Sequence, residues 1–274
     1  MMLVDELAMD LKTRAARAVR IARRVGRAAN VLRQTIGSTG LAIQNKGLQD
    51  FVTIADQQAE QSIRKSLAGN FPDDGFLGEE TGGAPTGAFW VVDPIDGTTN
   101  FIRGFRHWGV SMAFVAGGRV RIGIVYDAAV DKVYWAIRGG GAFRERQPIR
   151  VSATTDPARA IAILGHSRRS SFEDYLAISR RLHERGIDYR RMGAAAVGLV
   201  RVADGIADLY YERHLKSWDM LAGALIAHEA GGRVFMPPLA VALADGGPVI
   251  AGTPGLDAEF AFLRDTADVP LESM

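Results

Sequence analysis

Residues 90–101 read Trp90-Val91-Val92-Asp93-Pro94-Ile95-Asp96-Gly97-Thr98-Thr99-Asn100-Phe101. A short apolar run, Phe89 to Val92, has the look of a strand and delivers Asp93 at its carboxyl end. Pro94 restricts the backbone and holds the following turn open. Asp96 follows three residues later on the same tight loop. Two carboxylates this close repel each other unless a cation sits between them. Hard divalent cations such as Mg2+ take oxygen ligands of this kind. Gly97 lets a ligand approach the backbone. Thr98 and Thr99 offer hydroxyls and amides where a helix could begin, which suits an anion. The same residues fit equally well an ordinary strand–turn–helix in which Asp96 is only a cap.

Downstream of this loop, Val110 to Val115, Val120 to Tyr126 and Lys132 to Ile137 are strand-like runs joined by short turns, which predicts an antiparallel meander. Upstream, Val4, Leu7, Leu11, Ala15, Ala18, Ala22, Val25, Ala29 and Leu32 form one apolar stripe at helical spacing. Arg14, Arg17, Arg20, Arg23, Arg24 and Arg27 cover the other faces. A basic amphipathic helix can lie on a membrane or on RNA, but a stripe made mostly of alanine suits close packing on the chain's own domain. Residues 37–47 read as a loop, and a second helix runs from about Asp56 to Leu67. In the second half, helices are predicted at Phe172 to Glu184, Ala194 to Ala203, Trp218 to Glu229 and Leu256 to Leu263. Strands are predicted at Ile161 to Leu164, Ala207 to Tyr211 and Val249 to Ala251. Strands followed by mixed elements indicate α+β layers rather than a regular βαβ series.

Length and composition bound the function. With 274 residues, 47% of them hydrophobic, the chain can bury a sizeable core without staples. It has no cysteine, which excludes disulfides, thiolate zinc sites and cysteine nucleophiles, and fits a cytoplasmic setting. Lys+Arg 33 against Asp+Glu 31 leaves a surplus of only two, so nucleic acid is not an expected partner. No apolar run approaches the roughly 20 residues of a membrane span. The start, MMLVDELAMD, lacks the apolar core of a secretory signal.

Further acidic residues are ambiguous one by one. Glu79-Glu80 alone reads as a solvated pair, and Asp219 and Asp56 each read as helix N-caps. Their combination is more informative. Gly78-Glu79-Glu80, the Asp93-to-Phe101 loop and Trp218-Asp219-Met220-Leu221-Ala222-Gly223 occur in that order. Together they resemble the inositol monophosphatase family of Mg2+-dependent, lithium-sensitive phosphatases. Asp50-Phe51-Val52-Thr53-Ile54-Ala55-Asp56, Gly123-Ile124-Val125-Tyr126-Asp127, Gly139-Gly140-Gly141-Ala142-Phe143 and Glu229-Ala230-Gly231-Gly232 extend the resemblance over almost the whole chain.

The resemblance implies a layered α-β-α-β-α sandwich of the sugar phosphatase type. It would be one phosphatase domain over 1–274 with two subdomains. Residues 1–150 would carry the helices, antiparallel sheet and metal loop, and 151–274 a mixed α/β half contributing Asp219. It implies two or three Mg2+ ions. Glu79, Asp93 and the Ile95 carbonyl would hold the first, and Asp93, Asp96 and Asp219 the second. Glu79 would also touch a third. Thr98, with Glu79, would orient and help deprotonate the attacking water, with Asp56 behind Thr98. Amides at Gly97 and Thr98 would hold the phosphate. The substrate would meet Gly193, Ala194, Glu212 and Asp219. A homodimer is the family expectation.

The match departs from the family at several points. Ala194 stands where members often carry serine, so a side-chain contact is lost there. His107-Trp108 looks somewhat like the histidinol-phosphate phosphatases of the same superfamily, and this segment is expected at the pocket rim. His166, His183, His214 and His228 are expected to be structural or surface residues. The reading is a cytoplasmic phosphatase of a small phosphate monoester, with inositol monophosphate first. Histidinol phosphate and fructose bisphosphate are the alternatives. A reading of another class is a protein that binds RNA or the transcription machinery through the Arg-rich helix.

Overall fold

The alanine stripe forms a helix, α1 (Met2–Ile36), which lays Ala15, Ala18, Ala22, Val25 and Ala29 into an apolar cluster shared with α2 (Ile54–Asn70). The computed structural model describes residues 2–36, 44–47, 50–52, 54–266 and 269–270, with side chains for 10–35 and 54–264. Val4 and Leu7 of the stripe therefore lie outside the described side chains. The arginines of α1 are largely engaged within the molecule. Arg14 pairs with Asp74, Arg17 donates to Asn70 at 2.6 Å, Arg23 pairs with Glu145, Arg24 donates to Ser66 at 2.5 Å and Arg27 pairs with Asp131 at 2.7 Å. Among the described residues, no helix is long and apolar enough to cross a membrane.

Residues 37–43 of the expected loop lie outside the described residues. The rest of it is a strand, β1 (Gln44–Gly47), paired antiparallel with β2 (Asp50–Val52). Gln-Asn-Lys-Gly has no apolar alternation, so only the backbone ladder marks it. The first large sheet follows. It consists of β3 (Gly75–Gly78), β4 (Phe89–Asp96), β5 (Gly109–Ala116), β6 (Arg119–Asp127), β7 (Lys132–Ile137), β8 (Ala142–Arg144) and β9 (Gln147–Pro148), in that order. The first pair is parallel and the remainder is the expected meander. A short helix, α3 (Thr98–Arg103), leaves the end of β4.

The second half contains β10 (Ile161–Leu164), α4 (Phe172–Glu184), β11 (Asp188–Arg190), α5 (Ala195–Ala203), β12 (Leu209–Leu215), α6 (Ser217–Glu229), β13 (Arg233–Met236), α7 (Leu239–Ala244), β14 (Gly247–Gly252), α8 (Asp257–Phe260) and β15 (Val269–Pro270). Its six strands form a mixed sheet in the order β11-β10-β12-β14-β13-β15.

Strand alternation sorts the side chains into layers. On β4, Trp90 and Val92 face the cluster of α1 and α2, whereas Phe89 and Val91 join the cluster of α5 and α6. That central cluster also takes Ile163, Tyr210, Val249 and Ala251 from the second sheet. The opposite face of this sheet packs Ala162, Leu209 and Ile250 against Leu182 of α4 and Phe260 of α8. The result is an α-β-α-β-α sandwich. Trp108 is 1% exposed and packs edge-on against Phe101 at 4.9 Å between ring centres. It belongs to the outer core, not to a pocket rim, because its place next to β5 turns the indole toward α1.

Candidate active site

Asp93 follows Phe89 and Val91 on the side of β4 that faces the central helices. The β4–β5 ladder is irregular between Asp93 and Asp96, where Pro94 lacks an N–H to contribute. The backbone re-forms locally, with the Ile95 N–H donating to Asp93 Oδ1 at 2.8 Å. Asp96 then reaches the amino end of α5, accepting from the N–H of Ala195 at 2.8 Å and of Val197 at 3.0 Å. It is thus a cap, but of a helix a hundred residues away rather than of α3. Asp219 sits in the first turn of α6, where its Oδ2 accepts from the Lys216 N–H at 3.0 Å. Carboxylate oxygens of Asp93, Asp96 and Asp219 all lie within 4.8 Å of one another.

Glu79 follows β3, whose register places Gly78 beside Val92, and its N–H donates to the Val92 carbonyl. This sets Glu79 next to Asp93. The buried Glu60 of α2 ties down the loop that follows, accepting from the N–H groups of Glu80 and Thr81 at 2.9 and 3.0 Å. The Thr98 hydroxyl lies 3.1 Å from Asp56 Oδ1 and 3.1 Å from the Ile95 carbonyl oxygen. Asp56 is 1% exposed inside the first turn of α2, not ahead of it, so it is no simple N-cap. Gly97 has φ +87° and lies against Gly193 and Ala194; a Cβ there would meet the Ala194 Cβ at 2.9 Å. Only glycine satisfies both the left-handed backbone and the close approach.

The electrostatics follow from burial of like charges. Burial, then the facing Glu79, Asp96 and Asp219, holds the Asp93 carboxyl well above its ordinary range. Burial and then Asp219 push Asp96 up to about 7, against the pull of the α5 amides. Burial raises Asp219 to about 6. Such a cluster is stable only when protonated or when a cation shares it. Its donors are all carboxylate oxygens, the set that hard divalent ions prefer. The residues therefore fit a metal of the Mg2+ class.

Beside the cluster opens a cavity of about 160 Å³. Its buried walls include Asp96, Ala194 and Glu212, and Asp219 and Gly193 also line it. Glu212 accepts from the Tyr210 hydroxyl at 2.8 Å, and burial is the main cause that raises its carboxyl to about 8. Gly165 makes room for this carboxylate, since a Cβ there would meet Glu212 Oε2 at 1.9 Å. Sequence reasoning missed Glu60, Gly165, Tyr210, Arg169 and Arg191, which carry no local motif. His166, expected to be a structural or surface residue, also lines the cavity. His107 does not line it, and its ring Nε2 is buried without a hydrogen-bond partner. Burial lowers that ring's pKa to about 4.

The profile of the inositol monophosphatase family matches residues 10–266. An inositol-1-monophosphatase of Rhizobium meliloti is 40% identical over 200 residues, covering 70% of this chain and 74% of that protein. The Nus factor SuhB of Vibrio cholerae is 32% identical over 257 residues, covering 92% and 96%. Among solved structures, the extragenic suppressor protein suhB of Bartonella henselae superposes with a TM-score of 0.82 at 30% identity, covering 96% of this chain and 99% of that one.

Proposed function

The chain belongs to the inositol monophosphatase family, and from that premise we propose that it is a Mg2+-dependent phosphatase of a small phosphate monoester, inositol monophosphate first. The observation that carries the reading is the convergence of Asp93, Asp96 and Asp219 within 4.8 Å, beside a Thr98 hydroxyl backed by Asp56. Glu79, Asp93, the Ile95 carbonyl, Asp96 and Asp219 would hold two or three ions. When bound, Mg2+ supplies neutralisation of the charge on the phosphoryl group and the leaving oxygen. The chain's own groups do the rest. Thr98, donating its proton to Asp56, keeps its lone pairs free to accept from a water and aim it. Glu79 takes that water's proton. Amides at Gly97 and Thr98 hold phosphate oxygens. Gly193, Ala194 and Glu212 border the organic part of the ester, where a buried carboxylate accepts a substrate hydroxyl. The Ala194 methyl leaves only backbone contacts at its position.

The test is a phosphate-release screen with Mg2+ over inositol phosphates, histidinol phosphate and fructose bisphosphate, each also with lithium. Turnover of none of them would sink the reading. We propose also a homodimer of single-domain subunits working in the cytoplasm, the first part checked by light scattering. A second reading, contact with the transcription machinery, draws on similarity to a protein named Nus factor. Its surface would not centre on Arg14, Arg17, Arg23 and Arg24 of α1, whose side chains are engaged within the molecule.

A further inference from the structure

We propose that Glu60 is a positioning residue for Glu79, whose place at the metal cluster depends on the grip of the Glu60 carboxylate. This rests on the phosphatase reading, in which Glu79 binds a cation and takes a proton from water. Glu60 and Asp56 lie four residues apart on α2, and so on one face of the helix. Both are 1% exposed. Asp56 meets the Thr98 hydroxyl at 3.1 Å. One turn further along α2, Glu60 meets the loop that carries Glu79. The two groups that act on the water, Thr98 and Glu79, are thus both set from one face of one helix.

That loop is short and closed. Gly78 and Gly82 exchange backbone hydrogen bonds at 3.1 and 2.9 Å, with Glu79, Glu80 and Thr81 between them. The Glu79 N–H donates to the Val92 carbonyl at 3.1 Å. The next two N–H groups donate to Glu60, that of Glu80 to Oε2 at 2.9 Å and that of Thr81 to Oε1 at 3.0 Å. The Thr81 hydroxyl donates to Oε1 at 2.5 Å and accepts from Arg64, another turn along α2, at 2.7 Å. Glu79 is therefore held on both sides, by its own N–H on β4 and by the following N–H on α2. Its side chain faces Asp93 closely enough to hydrogen-bond it.

Burying a charge is a costly way to satisfy a loop. Glu80 is half-buried and Thr81 exposed, so water could meet their amides instead. Two carboxylate oxygens aimed at two successive amides do what water cannot: they fix the orientation of the loop as well as its position. Gly78 answers the same demand. Its backbone is not in the left-handed region, so its conformation does not call for glycine. A Cβ at that position would, however, meet Glu60 Oε2 at 2.4 Å. The side chain is given up at Gly78 to admit the carboxylate. Glu60→Gln keeps the length and shape of the side chain but turns one of its two acceptors into an NH2, which cannot bond the amide it faces. The loop then loses one of its two points of attachment beside Glu79.

The experiment is a cycle of wild type, E60Q, E79Q and E60Q/E79Q. Each is measured for kcat and KM on the fastest ester of the phosphate-release screen, for binding of Mg2+ alone by calorimetry, and for melting in EDTA. E60Q is expected to lower kcat about ten- to a hundredfold and to weaken Mg2+ binding several-fold, with KM nearly unchanged. In the E79Q background the same change should cost less than about twofold in kcat or Mg2+ affinity, because a residue that acts through Glu79 then has nothing left to position. Equal losses in both backgrounds overturn the proposal, since a general structural role is additive. Wild-type kcat and Mg2+ affinity in E60Q overturn it as well. If E60Q shows no cooperative melting, T81V takes its place in the cycle, removing the hydroxyl that donates to Glu60 from an exposed position. Its loss should be smaller, about threefold, and again absent beside E79Q; no loss, or an additive one, overturns the proposal. Absence of phosphate release from every ester by the wild type overturns the phosphatase reading, while the Mg2+ calorimetry still decides whether Glu60 positions Glu79.

Discussion

Replacing Asp93 by Asn removes one charge from a carboxylate held between Glu79, Asp96 and Asp219. Its activity is expected to fall by at least two or three decades, roughly 3–4 kcal/mol of barrier. The same change relieves repulsion among buried carboxylates, so the metal-free variant should melt no lower than wild type. Phosphate release at saturating Mg2+ and thermal melting in EDTA test both halves; a variant keeping a tenth of the activity would refute the metal-bridging role. Glu212 is a different kind of acid. Among the described residues, it hydrogen-bonds neither Thr98 nor the Asp93, Asp96 and Asp219 carboxylates, and its side-chain partner is Tyr210. Glu212→Gln should raise KM several-fold while kcat falls less, since a hydrogen bond to a charged acceptor is worth about 1.5–3 kcal/mol. Steady-state kinetics on the best substrate decide this, and a loss confined to kcat would move Glu212 into the chemistry.

Asp96 joins two elements. Its carboxylate terminates β4 and satisfies two amides at the start of α5. Asp96→Ala should therefore cost stability as well as activity, by about 1–3 kcal/mol for each buried donor left unpaired. Urea unfolding without metal measures it. An unchanged midpoint would mean that water replaces the carboxylate at α5. Trp108→Ala should cost more, about 3–5 kcal/mol, because it empties a core position between Phe101 and Tyr126. The packing predicts no discrimination between ring-bearing and polyol substrates in that variant, since the indole lines no part of the cavity. A selective KM change for a ring-bearing ester would contradict this.

The buried carboxyls together set how the whole molecule responds to pH. In the folded, metal-free protein Asp96 titrates near about 7 and Glu212 near about 8, both above their ordinary values. A raised carboxyl means that the folded state binds more protons than the unfolded chain. Its stabilising contribution is complete below the unfolded pKa and is lost as pH rises through the folded one. His107, His166 and His214 act oppositely, but only below their ordinary value of 6.5. From about pH 6.5 to 8, therefore, the melting temperature in EDTA should fall. Added Mg2+ should raise it more at the upper end of that range, since the cation binds the ionised cluster. Calorimetry across this range checks the slope. A rising melting temperature in EDTA would mean that the cluster is not held protonated.

How much of this was legible in the chain depends on sequence distance. Asp93, Asp96, Gly97 and Thr98 lie within six residues, so their common loop follows from local chemistry alone. The meander and the alanine-striped α1 were legible because period-2 and period-3.6 patterns are local. By itself, then, the sequence determined the layered α+β architecture and, through three short motifs, the family. It read β1 as loop and was silent about β13 and α7, where polar or Gly- and Pro-flanked residues blur the period. It misplaced Trp108, since an aromatic beside a loop reads the same whether it faces core or cavity. Only the tertiary structure decided that Asp96 caps α5, that Glu60 holds the Glu79 loop, and that Arg169, Arg191 and Glu212 share one cavity. These contacts join segments distant in the chain. They arise from how sheets and helices stack, so no local pattern of residues encodes them.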